Sequence, residues 1–407
     1  MIMRKSQNEK RRDFCGCEYN EFPEVRKTYE FAKEVYIVDS TIRSLQSGVS
    51  GGCHSVQDLV EIGKALDVLG VKKQIINLDW KNGIEVCEGL AHENLQCKIV
   101  GALSIRQASW EERADVAIRA GVNEICFPSI PDVEHIKRAA YFVQNRGKAI
   151  SHAFGRSCSL NEVIVMCREG VKYGYESQTF EDSFFGFGIN PEAMKYFIKL
   201  IKNSVSNCPP LYVHLSNFFG QATMTAVAAI VAGASAADVS MNGIGHHCGH
   251  ISLPECVMVL EVLYGIRTGI NLERLKEVSL LVQERSKIPF PITKPIVGDF
   301  AFIIDGALRA MEASIPHEEK VYGFPFQPNA VGNEERVIWS DKTISSTEGI
   351  KEKLASMKLT YQEDDIKKII RRLTEILEDK ERYPRWMLNS EFEELCQTVL
   401  SNPLPNL

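Results

Sequence analysis

LYVHLS (211–216), MTAVAAIVAGAS (224–235) and AADVSM (236–241) follow one another along the chain, and their order decides the fold. The first and third are short, mostly apolar runs, as strands of a parallel sheet are. The middle run repeats apolar residues at helical spacing and carries Gly233 near its close as a stop signal. Strand, helix and strand in sequence make a right-handed crossover between parallel neighbours.

The same unit recurs upstream. Strand candidates are VYIVDS (35–40), QIINLD (74–79), CKIVGALSI (97–105), EICFPS (124–129), AISHAF (149–154) and SQTFED (177–182), separated by helical stretches such as VQDLVEIGKALDVLG (56–70). Eight strands joined by helices predict an α/β fold, a (β/α)8 TIM barrel, because eight parallel strands with one-handed crossovers most simply close on themselves. From about Ile270 the rhythm breaks, and the Pro-rich KIPFPITKPIVG (287–298) marks a boundary. The expected organisation is an N-terminal arm (1–30), a barrel (31–285) and a C-terminal helical subdomain (286–407). That last part is read as loop-rich over 320–345, then as helices over 347–357, 363–380 and near EFEELCQTVL (391–400).

The chain has 407 residues and a net charge of -6, from 47 basic and 53 acidic residues spread along its length. No basic block is present, which argues against nucleic acid as a partner. No apolar run approaches the roughly 18 residues of a membrane span, and the basic N-terminus lacks an apolar segment behind it, so a cytoplasmic protein is expected. Twelve cysteines lie scattered without metal-knuckle spacing and are expected as reduced core thiols. Cys15 and Cys17 sit in the arm.

Reacting groups of such barrels come from the C-terminal ends of the strands. Arg43, just past the first strand, suits a carboxylate or an enolate oxygen, or else serves structure alone. Asp182 and Ser183 close the sixth strand. His214 and Asn217 close the seventh, where a lone histidine is also read as a satisfied core residue. The loop after the eighth strand holds Asn242, Gly243, Gly245 and Gly249. His246, His247, Cys248 and His250 add four potential ligands or bases within five residues, a cluster that packing does not call for.

The run from His214 to Ile266 resembles the corresponding region of 2-isopropylmalate, citramalate and homocitrate synthases, which carry H-x-H-N-D-x-G and then N-G-I-G-E-R-A-G-N. DSTIRS (39–44) is similar to their D-T-T-L-R-D, Glu181-Asp-Ser-Phe-Phe-Gly186 to P-D-T-x-G, and KPIVGDFAF (294–302) to K-x-I-V-G-x-x-A-F. The resemblance spans roughly residues 35 to 385 and identifies the chain as a member of the DRE-TIM metallolyase superfamily. It implies carbon–carbon chemistry beside a divalent metal, Mg or Mn, with a 2-oxo acid and an acyl-CoA as partners. It also implies a homodimer whose C-terminal subdomain acts as a lid. The leucine-sensing regulatory domain of the full-length relatives is not expected.

Against that pattern the metal-ligand aspartate is Ser44, and the second histidine of H-x-H is Ser216. His214 is left as a tentative metal ligand, with Asn242 a possible outer one. The family's strand-5 glutamate is Ala153, its Glu-Arg in the last loop is His246-His247, and its later histidine aligns with Ala307 to Arg309. Three readings follow. The site is rebuilt for Zn or Fe, or works without a metal, performing a Claisen-type condensation, with cleavage of the hydroxymethylglutaryl-CoA lyase type as a neighbour. Alternatively, synthase chemistry survives on a weak metal site, or the barrel is a non-catalytic binding or assembly subunit. The roles expected are Arg43 on a carboxylate or enolate oxygen and His246, His247 or Cys248 in acid–base catalysis. Asp182, Ser183, Asn217 and Asn242 are expected to hold substrate, and Arg309 to compensate charge.

Overall fold

The computed structural model describes residues 17–48, 54–80, 82–155, 159–306, 308–309, 324–340, 347–379, 381 and 386–401. Cys15, Cys53, Cys158 and Ala307, with most of the arm, lie outside them. Two compact units divide the chain, one of residues 16–290 with 295–297, the other of 1–15, 291–294 and 298–407.

The first unit is a closed parallel barrel of eight strands. They are β1 (Tyr36–Asp39), β2 (Lys73–Asn77), β3 (Lys98–Ala102), β4 (Glu124–Pro128), β5 (Ala149–Phe154), β6 (Ser177–Glu181), β7 (Leu211–His214) and β8 (Ala236–Val239). Pairing of Tyr36 with Ala236 and of Asp39 with Val239 closes the ring. All eight strands therefore stand where the alternating pattern put them.

The helices bury one stripe against this ring. In Val56–Leu69 the buried residues are Leu59, Ile62, Gly63, Leu66 and Leu69, a helical repeat facing inward, and a Ser55–Asp58 capping box starts the helix. The helix Ala222–Val231 differs, being buried through Ala222 and from Thr225 to Val231. Its Ala-rich composition allows close approach on every side.

Inside the barrel, Val38, Ile75, Val100, Ala102, Cys126, Ala153, Tyr212 and Ala236 form one apolar cluster. Below it, at the N-terminal strand ends, Lys73 Nζ lies 2.5 Å from Glu124 Oε2, and the Tyr36 and Tyr212 hydroxyls are 2.6 Å apart. This end is closed by side chains. The described cysteines are free thiols, with Cys87, Cys97, Cys126, Cys167, Cys256 and Cys396 buried and Cys17 and Cys248 exposed.

The second unit contains the expected helices Thr347–Ser356, Glu363–Glu378 and Asn389–Ser401. It also contains a sheet that the pattern did not announce. Here β9 (Ile303–Asp305) runs parallel to β10 (Arg336–Trp339), and β11 (Met387–Leu388) pairs antiparallel to β10. Part of the stretch read as loop is thus strand, because runs of two to four residues are too short to show alternation. Trp339 stacks on Phe392 at 3.7 Å between ring centroids and centres the unit's core. Among the described residues, no helix is long and apolar enough to cross a membrane.

Candidate active site

A cavity of about 240 Å³ opens at the C-terminal ends of the barrel strands. β1, β2, β6 and β7, which feed it, end in Asp39, Asn77, Glu181 and His214, whereas β8 ends in Val239.

After β1 the chain turns into the short helix Thr41–Gln46, which presents Arg43 and Ser44 to the cavity. An Arg43 Nη donates to Glu181 Oε1 at 2.8 Å, so the last residue of β6 meets the loop after β1 across the barrel mouth. Burial is the largest influence and opposes both charges, but Glu181 with Asp238 holds Arg43 above its ordinary range, and Arg43 with His214 and His152 holds Glu181 below the usual carboxylate range. Next to Glu181, Asp182 Oδ2 accepts the Ser216 amide at 2.8 Å and Ser183 Oγ donates to the Gly155 carbonyl at 2.8 Å. Asp182, Ser183 and Ser216 all line the cavity.

His214 ends β7 with its Nδ1 3.1 Å from Asp238 Oδ2 of β8. Asp238 is fully buried, and its other oxygen accepts Ser40 Oγ at 2.6 Å. Burial disfavours the imidazolium, but the Asp238 carboxylate overrides it and raises the His214 pKa above its ordinary value. Beside it stands His250, its ring centroid 4.4 Å from that of His214 and its Nδ1 3.4 Å from Ser44 Oγ. Burial first, then the positive charges of His214 and Arg43, push the His250 pKa far down and keep it neutral. Gly245 permits this arrangement, since a Cβ there would overlap the His250 ring.

His246 and His247 also line the cavity, and burial with Arg43 beside it lowers the His246 pKa. His247 has a left-handed backbone (φ 57°) and leans on Phe218 at 5.2 Å between ring centroids. Phe187 and Trp80 complete an aromatic rim.

Four residues singled out from sequence stand apart from this group. Asn242, at φ 59°, turns outward, and its amide atoms bond to Ser279 rather than to the cavity. The Asn217 carboxamide accepts the Ala222 amide at 3.2 Å, within the turn that opens the next helix. Cys248 is exposed and does not line the cavity. Arg309 belongs to the second unit and pairs with Glu335 at 3.0 Å. Glu181, Asp238 and Asn77 were missed; the first two make their contacts through partners far away in sequence. His250 was noticed in its cluster but given no role.

The donors that converge here do not suit Mg or Mn. Ser44 and Ser216 offer neutral hydroxyls, His214 Nδ1 faces Asp238, and the Asp182 carboxylate is engaged by a backbone amide. A thiolate site for Zn fails for a different reason, because Cys248 points away from the cavity. Among the described residues, no three His, Cys, Asp or Glu side chains gather as a ligand set.

A family model described as HMGL-like matches residues 132–282. The chain is 30% identical over 364 residues to an (R)-citramalate synthase of Methanocaldococcus jannaschii, covering 84% of this chain and 70% of that one. It is 25% identical over 389 residues to a homocitrate synthase of the same organism, covering 90% and 91%. Among solved structures, the HMG-CoA lyase of Bacillus subtilis superposes with a TM-score of 0.54 at 16% identity, covering 65% of this chain and 96% of the lyase. At that identity the likeness is one of fold.

Proposed function

The chain belongs to the HMGL-like family of DRE-TIM enzymes, and on that premise we propose that it condenses an acyl-CoA with a 2-oxo acid at the cavity above the barrel. The observation that carries this reading is the meeting of Arg43, the His214–Asp238 pair and His246 around one opening. Arg43 takes the 2-oxo acid, either at its carboxylate or at the ketone oxygen that becomes negative as the bond forms. A histidine of the cavity removes a proton from the carbon next to the thioester. His246 suits this step, since burial with Arg43 beside it lowers its pKa and leaves the imidazole neutral.

The resulting carbanion attacks the ketone carbon, and the alkoxide so formed takes a proton from His214, whose imidazolium the Asp238 carboxylate favours. Water then cleaves the thioester to give CoASH and a second carboxylate, so acyl-CoA, 2-oxo acid and water balance against hydroxy diacid and CoASH. Asp182 and Ser183 shape the wall that holds the acid. No step is routed through a divalent ion, because the donor set does not fit one. We further propose a cytoplasmic homodimer, the dimer being what the family resemblance implies, and light scattering on the full chain reads the dimer directly.

The test is CoASH release from acetyl-CoA with pyruvate, 2-oxoisovalerate and 2-oxoglutarate in turn, paired with melting temperatures and metal content. Release with at least one acid is the expected result. No release with any of them, and no ligand-induced rise in melting temperature, sinks the condensation.

A further inference from the structure

Among the described residues, Arg43 is the only Lys or Arg side chain lining the cavity, so the direction of its guanidinium matters for recognising an anion there. Arginine side chains lose considerable rotamer freedom when held in one geometry, and something must hold this one. We propose that Glu181 is a positioning residue that fixes Arg43 so that its remaining N–H donors face the 2-oxo acid. This rests on the function proposed above.

Three observations point the same way. First, the ion pair is 2.8 Å long and joins residues 138 apart in sequence, and the Glu181 carboxylate makes no other hydrogen bond among the described residues. Of the five N–H donors of a guanidinium, the pair uses one. Second, the neighbouring strand gives way to it. The end of β5 reads Ala153-Phe154-Gly155, and a Cβ on Gly155 would stand 2.6 Å from Glu181 Oε2 and 2.7 Å from Ser129 Oγ. The carboxylate therefore fills room that only glycine leaves. Third, the pair carries no net charge, so the cavity selects an acid by the direction of its N–H groups more than by its field.

The family pattern at this strand end is S-x-E-D, whereas Ala153 here packs into the apolar cluster of the barrel interior. A carboxylate absent from β5 is present on β6, in contact with the arginine.

The test uses the full-length protein with Glu181→Gln, Glu181→Ala and Gly155→Ala. Gln keeps the volume and one acceptor for Arg43 but loses the charge, whereas Ala loses both. Gly155→Ala leaves Glu181 in place and displaces its carboxylate. The expected result is a fall in kcat/KM for the 2-oxo acid of about 10-fold for Gln and about 100-fold or more for Ala. Most of that fall should be in KM for the acid, with KM for the acyl-CoA within about twofold of wild type. Gly155→Ala should resemble Glu181→Gln.

A second readout needs no turnover. Phenylglyoxal labelling of Arg43, followed by peptide mass spectrometry, should be slow in wild type, slower still with pyruvate, and fast and pyruvate-insensitive in Glu181→Ala. If wild type releases no CoASH from any acid, the condensation fails while the labelling still tests the pair. Equal labelling of Arg43 in wild type and Glu181→Ala, or kcat/KM within twofold, overturns the proposal.

Discussion

Two ion pairs sit at opposite ends of the same barrel, one buried and one half-buried, and their surroundings differ more than their chemistry. Lys73 and Glu124 open β2 and β4, and their side chains are 7% and 1% exposed. Arg43 and Glu181 lie at the other end and are 24% and 12% exposed. The lower pair is almost wholly buried, with Lys73 Nζ also 5.5 Å from the Tyr212 ring centre and 3.9 Å from Oε2 of the exposed Glu176, and it borders no cavity found among the described residues. The upper pair borders a cavity. Desolvation makes each pair costly to break, but only at the C-terminal end does the cation retain donors for a ligand. The same kind of interaction thus serves folding at one end and recognition at the other.

Separating the two roles begins with the lower pair. Lys73→Met leaves Glu124 charged and unpaired in the interior, and urea unfolding should show a loss of about 3–5 kcal/mol. The double variant Lys73→Met/Glu124→Leu should recover most of that, and turnover per folded molecule should not change in either. A single-variant loss under about 1 kcal/mol would mean that water reaches the lower end.

Arg43→Ala should do the converse. CoASH release should drop about 100- to 1,000-fold, the range for removing one oxyanion donor, with a smaller loss in urea unfolding than for Lys73→Met because Glu181 borders the cavity. Retained turnover would remove Arg43 from the chemistry.

A smaller effect comes from Asp39, at the upper end of β1. Burial, with the charge of Asp238 beside it, pushes its pKa up to about 7 against the two hydrogen bonds from Thr41. The folded value lies above the unfolded value of about 3.9, so the fold holds this proton more tightly than the unfolded chain. Its contribution is complete below about pH 4 and is lost as pH rises towards 7. Asp39→Asn cannot lose a proton, so its melting temperature relative to wild type should climb between those limits and then level off. Equal differences at pH 5 and pH 8 would exclude Asp39 as the source. Least affected should be Cys248→Ser, whose exposed side chain lies outside the cavity. A change in kcat beyond about twofold would return the thiol to the reaction.

The barrel was legible in the sequence because its signals are local and repeated: short, mostly apolar strands alternate with crossovers that show helical spacing. The sheet of the second unit was not, since β9, β10 and β11 come from three distant stretches and the shortest has two residues. The candidate site was half legible for the same reason. Arg43, Asp182, Ser183, His214, His246 and His247 announce themselves by standing at strand ends, and all line the cavity. Glu181 and Asp238 looked like ordinary strand residues, because their partners, Arg43 and His214, lie on other parts of the chain. Asn242 misled in the opposite sense. Its place beside the glycines suggested a ligand contact, but a left-handed backbone aims its amide at Ser279.

That outward tether of Asn242 has a consequence for how this loop can change. One end of the loop is fastened to the helix Leu275–Ser286 through Ser279. The other is fastened by Gly249, whose carbonyl accepts the Asn217 amide, and by the His250 amide, which donates to the Gly243 carbonyl. Between these anchors His246, His247 and Cys248 form a cassette. Its three side chains can be exchanged, by mutation over generations or by a saturation library at the bench, while the frame that aims them stays put. New selectivity on this barrel can therefore be sought in three adjacent codons.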